Sequence, residues 1–119
     1  MLGAYGPPII LDMSEEKNAV AQYYLTSPHK KAKDFRSNNN YKQILALALK
    51  DKIKANDVYQ NTSVAEGEKQ RGRVIGTMLK NLVKWGFLVK TGEKDSLYRQ
   101  EIFSLNESLR KQIRLLVEK

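Results

Sequence analysis

Cysteine is absent from all 119 residues. That excludes a disulfide framework, a thiolate metal site and a thiol nucleophile, and it is compatible with a reducing cytosolic setting. Histidine is nearly as scarce: His29 stands alone between Pro28 and Lys30 with no second ligand type nearby, which leaves no basis for a metal site. No apolar run approaches the roughly 18 residues of a membrane span, and Met1 to Pro8 lacks the basic start and apolar run of a secretory signal. There is no Gly-rich phosphate loop, no nucleophile elbow, and no His paired with Cys or Ser. The neighbouring carboxylates Glu15 and Glu16, and Glu66 and Glu68, fit helix-start electrostatics better than acid–base work. The expectation is a soluble intracellular protein that is not an enzyme, with no catalytic residue, no metal, no cofactor and no membrane partner.

One absence is local. From Lys69 to Gly92 there is no Asp or Glu, while Lys69, Arg71, Arg73, Lys80, Lys84 and Lys90 all fall inside that window. The whole chain carries a formal charge of +8, and the excess is uneven: residues 1–40 have five Lys/Arg against four Asp/Glu, residues 41–119 sixteen against nine. Such a balance favours an anionic partner. With 41% hydrophobic and 29% charged residues, a chain of this length can bury one modest core.

Hydrophobic spacing supplies the elements. Gly3, Gly6, Pro7 and Pro8 make the start an irregular arm. Asp12 with Glu15 can open a first helix that runs to about Leu25, with Ala19, Val20, Tyr23 and Tyr24 on one side and Thr26-Ser27-Pro28 as its stop. Residues 29–40 read as a basic, polar linker; its run from Lys30 to Arg36 is either a second phosphate-contacting arm or simply solvated. Asn40, with Gln43 three residues on, can cap a helix whose stripe is Tyr41, Ile44, Leu45, Ala48 and Leu49. Lys52-Ile53-Lys54 suits a short strand, and Asn56 caps a brief helix to about Val64 that buries Val58 and Tyr59. Val74, Ile75, Met78, Leu79, Leu82 and Val83 then mark a long helix over 68–85, ended by Gly86. Phe87 to Lys90 and Leu97 to Leu105 are strands around a polar tip, Thr91 to Ser96. Asn106 caps a last helix bearing Leu109, Ile113, Leu116 and Val117 on one side.

The order helix, short strand, helix, turn, helix, strand, tip, strand resembles the winged helix-turn-helix superfamily. The phrase from Arg73 to Lys90 carries most of the likeness, since its helix ends in Leu82-Val83-Lys84-Trp85-Gly86 and an apolar strand starts at once; Tyr98 to Leu105 resembles the returning wing strand. The likeness covers about residues 41–105 and is specific at fold level only. Two features depart from the pattern: the turn from Ala65 to Gln70 is longer and more charged than usual, and Gly72 and Gly76 lie in the third helix. The fold class implied is α+β, mostly α, a winged helix-turn-helix with helical extensions. Its parts are an arm with one helix and linker (1–40), the winged-helix domain (41–105) and a C-terminal helix (106–119).

The resemblance implies double-stranded DNA as partner, read in the major groove by the helix over 68–85 and a basic wing. At 100° per residue, Arg73, Thr77, Lys80 and Lys84 lie within about 60° of one another, opposite Met78 and Leu82. The candidate DNA-binding set is Lys69, Arg71, Arg73, Thr77, Lys80 and Lys84, with Lys90 and Lys94 from the wing. Arg73, near the helix start, suits a bidentate contact to a guanine edge, and Lys80 and Lys84 suit phosphates. Gly72 and Gly76 would allow a close backbone approach. The competing reading is an ordinary solvated face. Trp85 reads as a core or hinge anchor, and Tyr23, Tyr24, Tyr41 and Tyr59 as packing residues.

The implied function is a sequence-specific transcription regulator, cytoplasmic or nucleoid-associated. Its alternative is an interaction or RNA-associated subunit of a replication, transcription or ribosomal assembly. Leu109, Ile113, Leu116 and Val117 are the expected homodimer interface, unless the first helix, through Val20 and Tyr24, covers them within one chain.

Overall fold

Nine residues, 18–26, open the described part of the chain as helix α1. The computed structural model describes residues 18–97 and 99–119. The expected helix start at Asp12 and Glu15, the arm before it and the strand residue Tyr98 lie outside that range. α1 ends where the Thr26 hydroxyl donates to the Gln22 carbonyl (2.7 Å) and Pro28 follows.

The stretch expected to be a linker is a helix, α2 (Lys30–Ser37). Only Ala32 and Phe35 are apolar in it, and both are buried at i, i+3 spacing. Arg36 fastens α2 to α1 by donating to the Tyr24 and Ser27 carbonyls (2.9 and 2.7 Å), which satisfies acceptors that the end of α1 leaves open. Two apolar residues among eight give too little periodicity to outweigh a basic composition, which is why the sequence reads as linker there.

Helix α3 (Asn39–Lys50) is capped by Asn38, not Asn40: the Asn38 side chain accepts from the backbone N–H groups of Asn40 and Tyr41 (2.9 and 3.3 Å). Gln43, freed from the expected cap, bonds Ser63 instead. Ile53 forms a single antiparallel bridge with Phe103, a one-residue version of the expected strand. Helix α4 (Ala55–Asn61) follows and buries Val58. Helix α5 (Arg71–Lys84) buries Ile75, Met78, Leu79 and Leu82. It closes in a Schellman motif, with the Phe87 N–H donating to Leu82 O (2.9 Å), the Gly86 N–H to Val83 O (3.1 Å), and Gly86 at φ 92°. The expected glycine stop is present for its expected reason.

Strands β1 (Leu88–Lys94) and β2 (Glu101–Leu105) form a two-stranded antiparallel sheet, with Leu88 opposite Leu105 and Lys90 opposite Phe103. The register slips between Lys90 and Lys94, so the partner of Lys94 is Glu101. Gly92 (φ 84°) lies in this irregularity, and the Thr91 hydroxyl bridges it by donating to Ile102 O (2.9 Å). Asn106 caps a short 3-10 turn (Glu107–Leu109) that leads into α6 (Arg110–Glu118).

The fold is α+β and mainly helical, around one cluster that joins Tyr24 and Phe35 of α1 and α2 to Ile44, Leu82, Phe87 and Ile113. Leu109 of the 3-10 turn and Ile113 and Leu116 of α6 are 2%, 0% and 5% exposed, and Val117 is half-buried. α6 lies along α3, where Arg110 donates to the Leu49 carbonyl (2.9 Å), and Gln22 of α1 and Gln112 exchange hydrogen bonds (2.6 and 3.0 Å). The stripe expected to hold a dimer together is therefore largely buried within one chain, with α3 rather than Val20 of α1 as its main neighbour. Tyr24 is buried in the same core cluster, whereas Val20 is left 39% exposed.

Candidate nucleic-acid interface

α5 is approached through a long turn, 62–70, in which Ala65 and Gly67 take positive φ (55° and 90°). Its first residue organises that turn. Arg71 donates from Nε to Val64 O (2.8 Å) and from Nη2 to Thr62 O (2.7 Å), and its guanidinium stands 4.3 Å from the centroid of the Tyr59 ring. Arg71 thus ties the start of α5 to the end of α4, and it leaves the expected DNA-contact set. The helical period explains this: Arg71 lies about 200° around the axis from Arg73, on the core side. The same contact explains Tyr59, which is 48% exposed rather than buried because its ring forms the platform under the guanidinium.

The opposite face of α5 is uncommitted. Arg73, Thr77, Lys80 and Lys84 are exposed, as is Lys69 in the turn before the helix. Among the described residues, Lys69, Arg73, Lys80 and Lys84 make neither an ion pair nor a side-chain hydrogen bond. The helix rise separates Arg73 from Lys84 by about 16 Å. A Cβ built on Gly72 or Gly76 would meet nothing within 4 Å, so packing inside this chain does not demand glycine at either position. Asn81 flanks the face and donates to the Tyr41 hydroxyl (3.1 Å).

The hairpin is less basic than its two lysines suggest. Lys90 is ion-paired with Glu101 (3.6 Å), and Lys52 with Glu93 (3.2 Å), all four at least about half exposed. Residues 90–101 contain Lys90, Lys94 and Arg99 against Glu93, Asp95 and Glu101, so the charges cancel. Lys94 remains exposed at the end of β1, and Arg99 at the tip has φ 58°. At the other end of α5, Trp85 is half-buried, with its ring 4.4 Å from that of Tyr24 and 5.7 and 5.6 Å from those of Phe35 and Tyr41. It serves as the expected packing anchor.

Comparison with protein-family models, with curated proteins and with solved structures gives no match to this chain. Among the described residues, no helix is long and apolar enough to cross a membrane. A row of unpaired cations on one side of a buried helix suits a repeating anion such as a nucleic-acid backbone. Sequence reasoning misses Arg71 as a clamp, although its helical angle is an available signal; the exposed lysines of α2 belong to the Lys30 to Arg36 run, read either as a phosphate-contacting arm or as simply solvated, and they stand on a helix.

Proposed function

We propose that the chain is a winged-helix protein that binds double-stranded DNA, with the face Arg73, Thr77, Lys80 and Lys84 of α5 against the major groove. The observation that carries this reading is that Arg73, Lys80 and Lys84 on the exposed face of α5 have no partner within the described residues, although α5 itself is anchored by Ile75, Met78, Leu79 and Leu82. An exposed cation row costs self-repulsion unless a polyanion occupies it. Lys80 and Lys84 contact phosphates, Arg73 reads a base edge, and Gly72 and Gly76 permit a close approach of the backbone. Lys69 sits in the turn at the entry to the groove, and Lys94 is the hairpin lysine without an ion pair among the described residues.

The reading is of a DNA-binding regulator that engages one site per chain. A two-fold pair built on Leu109, Ile113 and Leu116 is dropped, because those side chains are already covered. A second reading, an RNA-binding or docking subunit of a larger assembly, is favoured by the cancelled charge of the hairpin, which weakens the case for a DNA-gripping wing. Fluorescence anisotropy with labelled duplex DNA, duplex RNA and single-stranded RNA of equal length separates the two. Preference for duplex DNA supports the first reading; preference for either RNA supports the second, and binding to none refutes both nucleic-acid readings.

A further inference from the structure

We propose that Ile9, Ile10 and Leu11, which precede the described part of the chain, occupy a groove along the outer edge of β1 as a short strand antiparallel to it. The groove, of about 230 Å³, lies between the end of α5 and the hairpin and is lined by Val83, Gly86, Leu88, Val89, Lys90 and Asn106. It combines apolar side chains with unpaired main-chain groups, which is what an added strand requires. The hairpin pairing shows where those groups point. Phe103 exchanges both of its main-chain hydrogen bonds with Ile53 (2.8 Å each), so it spends none on Lys90, which stands opposite it in the hairpin. In an antiparallel ladder the N–H and C=O of Lys90, and of Leu88 two residues earlier, then face away from β2. The Asn106 N–H donating to Phe87 O (2.9 Å) fits the same alternation. Among the described residues no hydrogen bond reaches those outward groups, and Val89 is left 47% exposed. Val83 lies about 80° around α5 from Arg73, so this groove is separate from the cation face and the inference stands apart from the nucleic-acid reading.

The point at which the described chain begins selects the occupant. Asn106, on the groove wall, donates from Nδ2 to Asn18 Oδ1 (3.1 Å) and to Gly86 O (2.8 Å), so the residues before Asn18 depart from the rim of this groove. Asn106 is level with Phe87, and Lys90 lies three residues, about 10 Å, further along β1. Leu11 is seven residues before Asn18, a stretch that spans up to about 25 Å and covers that path. A chain that passes Lys90 first and Asn106 last before entering α1 runs antiparallel to β1. Composition limits the strand to three residues. Pro7 and Pro8 lack the N–H that a ladder uses, Asp12 disfavours a strand, and the residues between them are β-branched or large and apolar. Three is also what β1 offers, residues 88–90, before its register slips. That register sets Ile9 opposite Lys90, Leu11 opposite Leu88, and Ile10 opposite the exposed Val89.

The test is amide hydrogen exchange by NMR on the full chain, joined to paramagnetic broadening from a nitroxide at position 4. No native cysteine competes for the label, so A4C carries it alone. The Leu88 and Lys90 amides are expected to be protected in the wild type and in I9V/L11V, and to exchange at least about tenfold faster in I9P/L11P, which removes the two donors that face β1. The Val89 amide, bonded within the hairpin, is expected to stay unchanged and shows that the hairpin is intact. The nitroxide is expected to broaden amides along residues 88–94 of its own chain. In a mixture of spin-labelled chain with isotopically enriched, unlabelled chain, the enriched chain is expected to stay unbroadened. Equal exchange of Leu88 and Lys90 in the wild type and I9P/L11P, or no broadening along β1, overturns the proposal. Broadening of the enriched chain in the mixture makes the occupant a second copy and overturns it as well.

Discussion

Replacing Lys80 and Lys84 together by alanine removes half of the cations that α5 and its entry turn present without partners among the described residues, the others being Lys69 and Arg73. If each of the four neutralises one phosphate on a one-turn duplex, the wild-type slope of log affinity against log salt is about −3.6, and that of the double variant about −1.8. Over a rise from about 50 to 200 mM salt, wild-type affinity then falls about 150-fold and the variant's about 12-fold. Folding is unaffected, because both side chains are exposed and touch no described partner; substitutions of that kind change stability by about 0.5 kcal/mol or less. The only tryptophan, Trp85, lies in the aromatic cluster next to Lys84, so urea unfolding followed by its emission checks that point in the same sample. The assay is anisotropy of a labelled duplex at five or so salt concentrations. A folded double variant with the wild-type slope would remove α5 from the interface.

Arg73→Ala is expected to cost about 1–3 kcal/mol at the preferred site while changing non-specific affinity less, read by competition between selected and random duplexes; equal weakening of every duplex makes Arg73 a phosphate contact. Arg71→Ala, two residues away, acts on the fold instead. It loses two hydrogen bonds to carbonyls and the Tyr59 stack, and a drop of about 2–3 kcal/mol in urea unfolding is expected, with a stability within 0.5 kcal/mol of wild type refuting the clamp. Leu116→Glu places a charge at a site 5% exposed, so it unfolds the chain or costs several kcal/mol; a well-folded variant with altered mass would revive α6 as an interface. Two hydrogen bonds from Arg110 (2.7 and 2.8 Å) hold the Glu107 carboxyl below the usual carboxylate range. Because the folded value is depressed, the small stabilisation from this exposed pair is present above the ordinary Glu pKa and is lost as pH falls through the folded one. An NMR titration that places Glu107 at or above the other glutamates, or leaves it unmoved by Arg110→Ala, contradicts that cause.

The elements with strong periodicity were legible in the sequence. α3, α5 and α6 lie where their apolar stripes put them, and Gly86 ends α5 through the backbone conformation that only glycine adopts cheaply. What was not legible depends on tertiary partners. α2 looks like linker because its helix is held by two small contact points, Ala32 and Phe35, and by Arg36 reaching another helix's carbonyls. The cap of α3 moved two residues because Asn38, Asn39 and Asn40 are chemically alike, and only the angle at which the chain leaves α2 selects among them. In the candidate site, Arg73, Thr77, Lys80 and Lys84 share the exposed face as the helical period requires. Arg71 belongs to the same acid-free window yet turns inward, since the window describes charge and the angle describes direction. Whether the α6 stripe meets a second chain or its own α1 and α3 is a question of topology, which periodicity alone leaves open.

The central claim, that the exposed face of α5 is the surface that meets duplex DNA, is tested most directly by two-dimensional amide NMR of the isotopically labelled chain during titration with a duplex of about one turn. The account predicts that the largest shift changes fall on Arg73, Gly76, Thr77, Lys80 and Lys84, with small changes along α3 and the buried side of α6. Shift changes centred on α6 or on the hairpin tip, with α5 unmoved, would contradict it.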